Sequence, residues 1–471
     1  MNSNQSKMDL TKKEQIKKLN NEAVKLSNQC NKNTKAIFHL QRAMILCKMA
    51  ELFPNSSSHY SIASSECSST ADETSDTNNA PLSKTNIIDE GMYSYTETLA
   101  IDDKILELQD TASFHSLEAI LCFNLGVCYL RDNQDQEAAL YFSKSEERLL
   151  TKSFICTSHD FSEAILGEVA TEPFKVDSIS LLHNIGLLKF RAAQYVESLR
   201  CYTEAMKISM AKYPADQIRL AVALNSIGVV LTYMYEQTPL HDDDVTVNST
   251  DAVTAFQQSI IARSEVLGEA DVGIATTYNN LGRIYFLLDN IESSLEQHLK
   301  AYSIRKNILG DHDLNTGVAA FNIGKCFHRL RQKEQALKYF SLYVSSNLGS
   351  NNEYNLTEEV IMAFTNIAEC FQDLDDLKLA SSFFELALTS ARKLFGEKNA
   401  FTAQILNRQG NMFFAFEQLD DSLNSYLEGL EVETVVYPYQ HPNIATTKGN
   451  IQRVVSFKNI VENNDRRRKL K

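Results

Sequence analysis

An all-α fold, an α-α superhelix of antiparallel helix pairs, is what this sequence of 471 residues predicts. Three observations predict it. Chain breakers are scarce: 16 Gly and 7 Pro make up about 5% of the residues, where an average chain carries roughly 12%. No proline occurs from 240 to 437, a span a β-rich chain with frequent turns would not tolerate. A short pattern also recurs with a period of 42 residues, and such self-similarity marks a stacked repeat.

Composition bounds the function before any motif is read. With 44% apolar residues the chain can fill a sizeable core; about 150 residues per domain would give three domains, a count the repeat replaces with one elongated stack. Its 46 basic and 60 acidic residues leave a charge of −14, which argues against nucleic acid or an anionic membrane surface as principal partner. The 9 cysteines are scattered and contain no Cys-x-x-Cys pair, so neither a disulfide framework nor a zinc site is indicated. Met1 to Lys18 is polar and lysine-rich, and no 18-residue apolar run is evident, so neither a signal peptide nor a membrane span is expected. The expected location is cytoplasmic.

Taken in order, residues 10–50 read as a helical hairpin: Leu19, Ala23, Val24 and Leu26 share one face, and Ile37, Leu40, Ala43, Met44 and Cys47 another. Residues 51–85 are rich in Ser, Thr, Asn and acids and are expected to form a disordered linker, because they bury too little apolar area to offset chain entropy. Its serines are either phosphorylated in a regulated linker or part of a tolerated insertion. Residues 86–116 and 156–176 read as extended or irregular. Within them Thr96 to Asp102 resembles Thr171 to Asp177, and the two either pair as a ribbon or are separate linkers.

The repeat occupies 117–155 and then 177–461, with seven full units and a lone C-terminal helix. A small residue marks each unit: Gly126, Gly186, Gly228, Gly282, Gly324, Ala368 and Gly410, at steps of 60, 42, 54, 42, 44 and 42. A ring or aliphatic residue mostly follows at +3, a small residue at +12, a ring at +16 and a mostly small residue at +19, as in Gly324, Phe327, Ala336, Phe340 and Tyr343. The third unit fits once an insertion of 12 residues, around Leu240 to Asp251, is removed as an exposed loop. Glycine costs about 1 kcal/mol against alanine inside a helix, so its recurrence implies the close approach of a second helix. The +16 ring fills the space between. Leu267-Gly268, Leu309-Gly310, Leu348-Gly349 and Phe395-Gly396 are expected helix ends with glycine at a left-handed cap.

This order of small, ring, small, ring and small positions resembles the tetratricopeptide repeat. The 42-residue step and the run Thr276-Thr277-Tyr278-Asn279-Asn280-Leu281-Gly282 are similar to the long subclass found in kinesin light chains. The likeness covers about 117–460, and the hairpin is a candidate degenerate extra unit. It does not extend to the heptads that precede the repeats of a kinesin light chain. The resemblance implies a non-catalytic scaffold that holds a partner peptide or helix in a concave groove lined by the first helix of each unit. The two alternatives are a self-assembling structural hub and a regulatory subunit of a larger complex.

The same resemblance places the residue two before each marker in that groove: Asn280, Asn322, Asn366, Arg408 and Asn450. An amide donates and accepts at once, which suits an extended backbone, although such an Asn could equally bond a neighbouring helix. Three residues further on the same face stand Arg283, Lys325 and Asn411. The cations Arg283, Lys325 and Arg408, interrupted by Glu369, suggest an acidic or phosphorylated partner segment. The carboxylate clamp of co-chaperone repeats is not matched, since Phe123, His183, Asn225, Asn279, Phe321, Thr365 and Asn407 stand where it needs Lys.

No phosphate loop, dinucleotide fingerprint or hydrolase motif is present, so no enzyme, cofactor or metal is expected. His298 occupies a +16 ring position and reads as a core or groove-edge filler, and His241-Asp242-Asp243-Asp244 as a plain acidic loop, since it lacks the Gly and Glu of a calcium loop. The basic tail 462–471, Arg466-Arg467-Arg468-Lys469 within it, either complements a helix dipole or directs nuclear import. Oligomeric state is left open.

Overall fold

The computed structural model describes residues 3–27, part of 36–44, 111–150, 178–212, 216–237, 249–349 and 354–469. The linker 51–85, both segments of the expected ribbon, most of the two irregular stretches and the acidic loop at His241 lie outside the described residues.

The described residues form helices with one isolated β-bridge. They divide into two compact units, Met1–Val266 and Leu267–Lys471. The first holds α1 (Ser3–Ser27), α2 (Thr111–Arg131), α3 (Asp135–Leu150), α4 (Ser178–Arg191), α5 (Tyr195–Lys212), α6 (Gln217–Gln237) and α7 (Ser249–Leu267), the last residue of α7 falling past the division. The second holds α8 (Val272–Leu287), α9 (Ile291–Leu309), α10 (Leu314–Arg329), α11 (Lys333–Ser346), α12 (Glu358–Asp373), α13 (Leu377–Phe395), α14 (Ala400–Ala415), α15 (Leu419–Val436) and α16 (Pro442–Lys469). Within the second unit each helix packs against the next, so the pairs stack in chain order.

Local chemistry sets the helix boundaries. The first helix of each pair in the second unit starts behind a capping residue eleven before the marker: Asp271, Asp313, Thr357 and Asn399 all accept a backbone N–H of the first turn. It ends in a three-residue turn whose middle residue, seven past the marker, is left-handed without being glycine: Asp289, Arg331, Asp375 and Glu417 have φ of 57 to 59°. Asn133 and Ala193 repeat this in the first unit. The next backbone N–H reaches back to the carbonyl three past the marker, as Gln332 to Phe327 at 2.9 Å, which closes a Schellman cap.

The markers sit against rings. A Cβ added to Gly324 would lie 2.7 Å from the Phe340 ring, and one on Gly126, Gly186, Gly228, Gly282 or Gly410 would meet Phe142, Tyr202, Phe256, His298 or Tyr426 at 2.6 to 2.9 Å. Ala368 and Phe384, which hold these positions in the sixth unit, are both fully buried. Serine at +12 adds a hydrogen bond to the marker carbonyl: Ser198 to Gly186 at 2.8 Å, Ser294 to Gly282 at 2.8 Å and Ser422 to Gly410 at 2.9 Å. Buried hydroxyls thereby stay paired at the tightest helix crossing.

Several boundaries differ from expectation. α1 begins at Ser3, seven residues before the expected hairpin, and α7 absorbs Ser249 to Asp251 from the expected loop. α16 runs through Lys469 and takes in most of the basic tail, since no breaker interrupts it and cations suit a helix C-terminus. Gly268, Gly310 and Gly396 have φ of 76 to 91°, whereas Asn347, not Gly349, follows the last residue of α11 as its cap. α11 stops two residues early at Ser346, where the Asn347 amide donates to Tyr343 O at 2.9 Å, and Leu348 then bridges Tyr354. Tyr354 rests edge-on against Phe364. α6 alone among the described residues is long and apolar enough to cross a membrane, yet it is 61% buried, with Ala221 to Val230 enclosed, as a core helix would be.

Candidate functional site

The first helices of the second unit carry the predicted groove residues on one repeating face. The marker register carries on into α16, where Asn450 and Arg453 stand as Asn322 and Lys325 do in α10. Contacts follow the same register. The residue just after a marker meets the residue four past the preceding marker. Lys325 lies 4.9 Å from the Phe286 ring centre, Glu369 approaches His328 at 3.8 Å, and Arg453 lies 4.7 Å from the Phe414 ring centre. A cation over a ring face is stabilised by the ring quadrupole while its outer edge stays open to a ligand.

The amides are engaged with their neighbours to different degrees. Asn322 donates to Asn279 Oδ1 at 3.0 Å, and His298 Nδ1 lies 3.0 Å from the same oxygen. Since that oxygen only accepts, His298 carries its proton on Nδ1. Asn366 is buried, whereas Asn280 and Asn450 are half-exposed. Asn411 is exposed and accepts from the Tyr426 hydroxyl at 2.6 Å. In the first unit Asn124 is fully buried and donates to Asn20 at 2.8 Å, so this position serves packing there.

Arg408 is engaged with the acid of the preceding unit. It donates to Glu369 Oε1 at 3.0 Å, so the acid that interrupts the basic stripe also neutralises its neighbour. Glu369 thus sits between Arg408 and His328. Arg453, which the sequence reading passed over because its helix carries Gln452 at the marker, is exposed and lies close enough to the buried Tyr426 phenol to oppose the rise in its pKa. Its signal was the register itself, counted one residue past Gln452.

Burial controls the remaining titratable groups. His298 is pushed down to about 3 by burial and then by the Lys325 and Arg305 charges, so it is neutral at physiological pH. Burial raises the Cys128 and Cys370 thiols to about 12 and Cys201 to about 11, which leaves them protonated and poor nucleophiles. Arg305 is 1% exposed and donates to Asn315 O at 2.7 Å and Thr276 Oγ1 at 3.1 Å, tying α9 to both flanking first helices. No group of three metal-ligating side chains occurs among the described residues.

A model of the tetratricopeptide repeat matches residues 248–307, 273–344 and 359–433. Clustered mitochondria protein homologs of Aspergillus fumigatus and Neosartorya fischeri are 25% identical over 152 residues, 32% of this chain. The matched segment spans only 11% of those relatives' own length. Among solved structures, the apo quorum sensor NprR of B. thuringiensis aligns over 68% of this chain and 77% of its own, at 14% identity and a TM-score of 0.48. A Podospora anserina protein described as a kinesin light chain with nearly identical TPR-like repeats aligns over 40% of this chain and 88% of its own, at 11% identity and a TM-score of 0.36.

Proposed function

We propose, from the premise that residues 248–433 carry tetratricopeptide repeats, that this protein is an interaction scaffold which binds a segment of a partner protein along the first helices of its second unit. The observation that carries the reading is the common register of Asn280, Asn322 and Asn450 with Arg283, Lys325 and Arg453 on one face. Amides along such a face can pair with an extended backbone whatever its side chains. The cations select a segment bearing carboxylates or phosphates, which a guanidinium holds with two bonds. Asn366, Arg408 and Asn411 belong to the same proposed surface, with Arg408 held by Glu369. The reading includes no catalysis, cofactor or metal, and it places the scaffold in the cytoplasm.

Charge reversal of Arg283 and Lys325 together in the full chain should reduce capture of partner proteins from lysate by an order of magnitude, with the melting temperature retained. Unchanged capture would remove the groove from consideration. A second reading, self-assembly, is favoured by the apolar residues at the end of the second unit: Val435 and Ile460 are each 57% exposed and Tyr439 87%. Light scattering over a concentration series separates the two, since a scaffold that acts alone keeps a constant mass.

A further inference from the structure

α16 carries a second face besides the one that holds Asn450 and Arg453. In the inner first helices the marker and the residues three and seven before it receive the second helix of the same pair. Ala275, Gly317, Ile361 and Ala403, seven before, are buried, as are their markers. In α14 a Cβ added to Gly429 of α15 would lie 3.3 Å from Asn407 Oδ1 and 3.6 Å from the Ala403 carbonyl oxygen, three and seven before Gly410. In α10 a Cβ on Gly317 would overlap Ser346 of α11. α16 places Ala445 seven before Gln452 and Gly449 three before it, and all three are exposed. A Cβ added to Gly449 meets nothing within 4 Å. The opposite side holds α16 to the stack: Ile444, Thr447 and Val454 are buried, and Thr447 donates to Asn407 Oδ1 at 3.2 Å. Ser456 and Ile460 are also exposed, and at 3.6 residues per turn they fall in line with Ala445, Gly449 and Gln452.

We propose that this stripe is an interface between two copies of this chain, in which α16 pairs antiparallel with α16 of a second copy about a twofold axis beside Gln452. The stripe is its own complement in that arrangement. Ala445 and Ile460 stand at equal distances either side of the axis, as do Gly449 and Ser456, so Ala445 receives the partner's Ile460 and Gly449 meets the partner's Ser456. Gln452 meets the partner's Gln452, and each amide donates to and accepts from the other. The order of side chains decides this occupant. A parallel copy would set Ile460 against the partner's Ile460 and leave a gap at Ala445, whereas the antiparallel copy fills every gap. Without a Cβ at Gly449 the axes approach to the lower end of the usual 8–10 Å, about 8 Å. A contact that uses the same patch on both copies closes as a dimer and does not propagate. Residues 445–460 span about 22 Å of helix, a smaller contact than the roughly 1,200 Å² of a standard interface, so the dimer forms in the micromolar range. Arg453 flanks the axis on the groove side, and salt should tighten the pair by screening its repulsion from the partner's Arg453. The pairing rests on the self-assembly reading and gives it a face and a geometry; it draws on none of the groove contacts.

The test uses the full chain, followed by sedimentation equilibrium from about 1 to about 300 µM at low and high salt. The mass should rise from one chain towards two with a midpoint of tens of micromolar, and the rise should persist or sharpen in high salt. Gly449→Leu fills open space in the single chain, so the melting temperature of a dilute sample should be retained while the dimer weakens at least about tenfold. Under mild oxidation Gln452→Cys should give a disulfide-linked dimer above the wild-type background, because the two Cβ atoms face each other across the axis. Thr446→Cys should not, since the antiparallel pair sets that residue about 20 Å from its own copy. A constant mass of one chain overturns this pairing and the self-assembly reading together. A dimer that survives Gly449→Leu, or that cross-links as well through Thr446→Cys as through Gln452→Cys, overturns this face and leaves self-assembly standing. Dissociation by salt does the same, in favour of an ionic contact.

Discussion

The inner repeats of the second unit and its terminal helix carry the same register of residues on one face but make opposite demands at one position. In the inner repeats the marker must be small, because Phe340, His298 and Tyr426 come so close that even a methyl on Gly324, Gly282 or Gly410 would overlap them. In α16 the equivalent residue is Gln452, exposed, and no ring arrives. Gly449 in the same helix likewise has nothing within 4 Å of an added Cβ. The face is therefore preserved by register alone, and the small residue is required only where a second helix closes the pair. Gln452 marks the end of the pairing without ending the candidate groove.

Substitutions that exchange these demands test the contrast. Gly324→Leu should cost about 3 kcal/mol, since the added atoms meet an aromatic ring locked inside a buried crossing. A urea midpoint equal to wild type would break the packing account. His298→Phe sharpens it by giving the fourth unit the ring of the fifth. The wild-type imidazole is neutral when folded, with its pKa at about 3, and ordinary when unfolded, so protons favour the unfolded chain as pH falls below about 6.5. That stability is fully present above pH 6.5 and is lost progressively down to about 3. At roughly 1.4 kcal/mol per pH unit, the second unit should lose about 2 kcal/mol between pH 7 and pH 5. The Phe variant should lack this part of the acid slope in denaturation midpoints measured at both pH values.

Gly449→Ala carries the opposite sign. In open space within a helix it should stabilise by about 1 kcal/mol, whereas the same change at Gly324 should not, because the gain in helix propensity meets the Phe340 ring. Equal melting shifts at the two sites would erase the distinction between inner and terminal positions. The smallest effect is expected at the turns. Glu417 is exposed and left-handed at φ 58°, so Glu417→Gly should stabilise by about 0.5 kcal/mol, the relief of steric strain being offset by the freer unfolded chain.

These turns also show where sequence reading stops. The markers and the rings at +16 were legible because a fixed spacing of unlike residue types survives in every unit despite insertions. The caps eleven before the marker and the left-handed turn seven after it recur just as regularly, but Asp271, Asp313, Thr357 and Asn399 differ in type, and Asn133, Ala193, Arg331 and Glu417 share no side-chain property. A backbone conformation imposed by the Schellman bonds on either side leaves little trace in composition. Gly349 failed as a cap for the converse reason. Its Leu-Gly pair copies the other units, but α11 ends early and the glycine falls past the helix end.

By itself the sequence determined the period, the helical class and the face on which Asn280, Asn322, Arg283 and Lys325 stand, because these follow from spacing along a helix of fixed geometry. The tertiary structure decided which of the charged groups pair with one another. Glu369 and Arg408 lie 39 residues apart in the chain, and only the stacking of α12 beside α14 turns them into an ion pair at 3.0 Å. The same stacking lays Arg453 over Phe414 and leaves its outer edge exposed. Charge on a helix face is written residue by residue, but its neutralisation depends on distances between helices, which no single helix encodes.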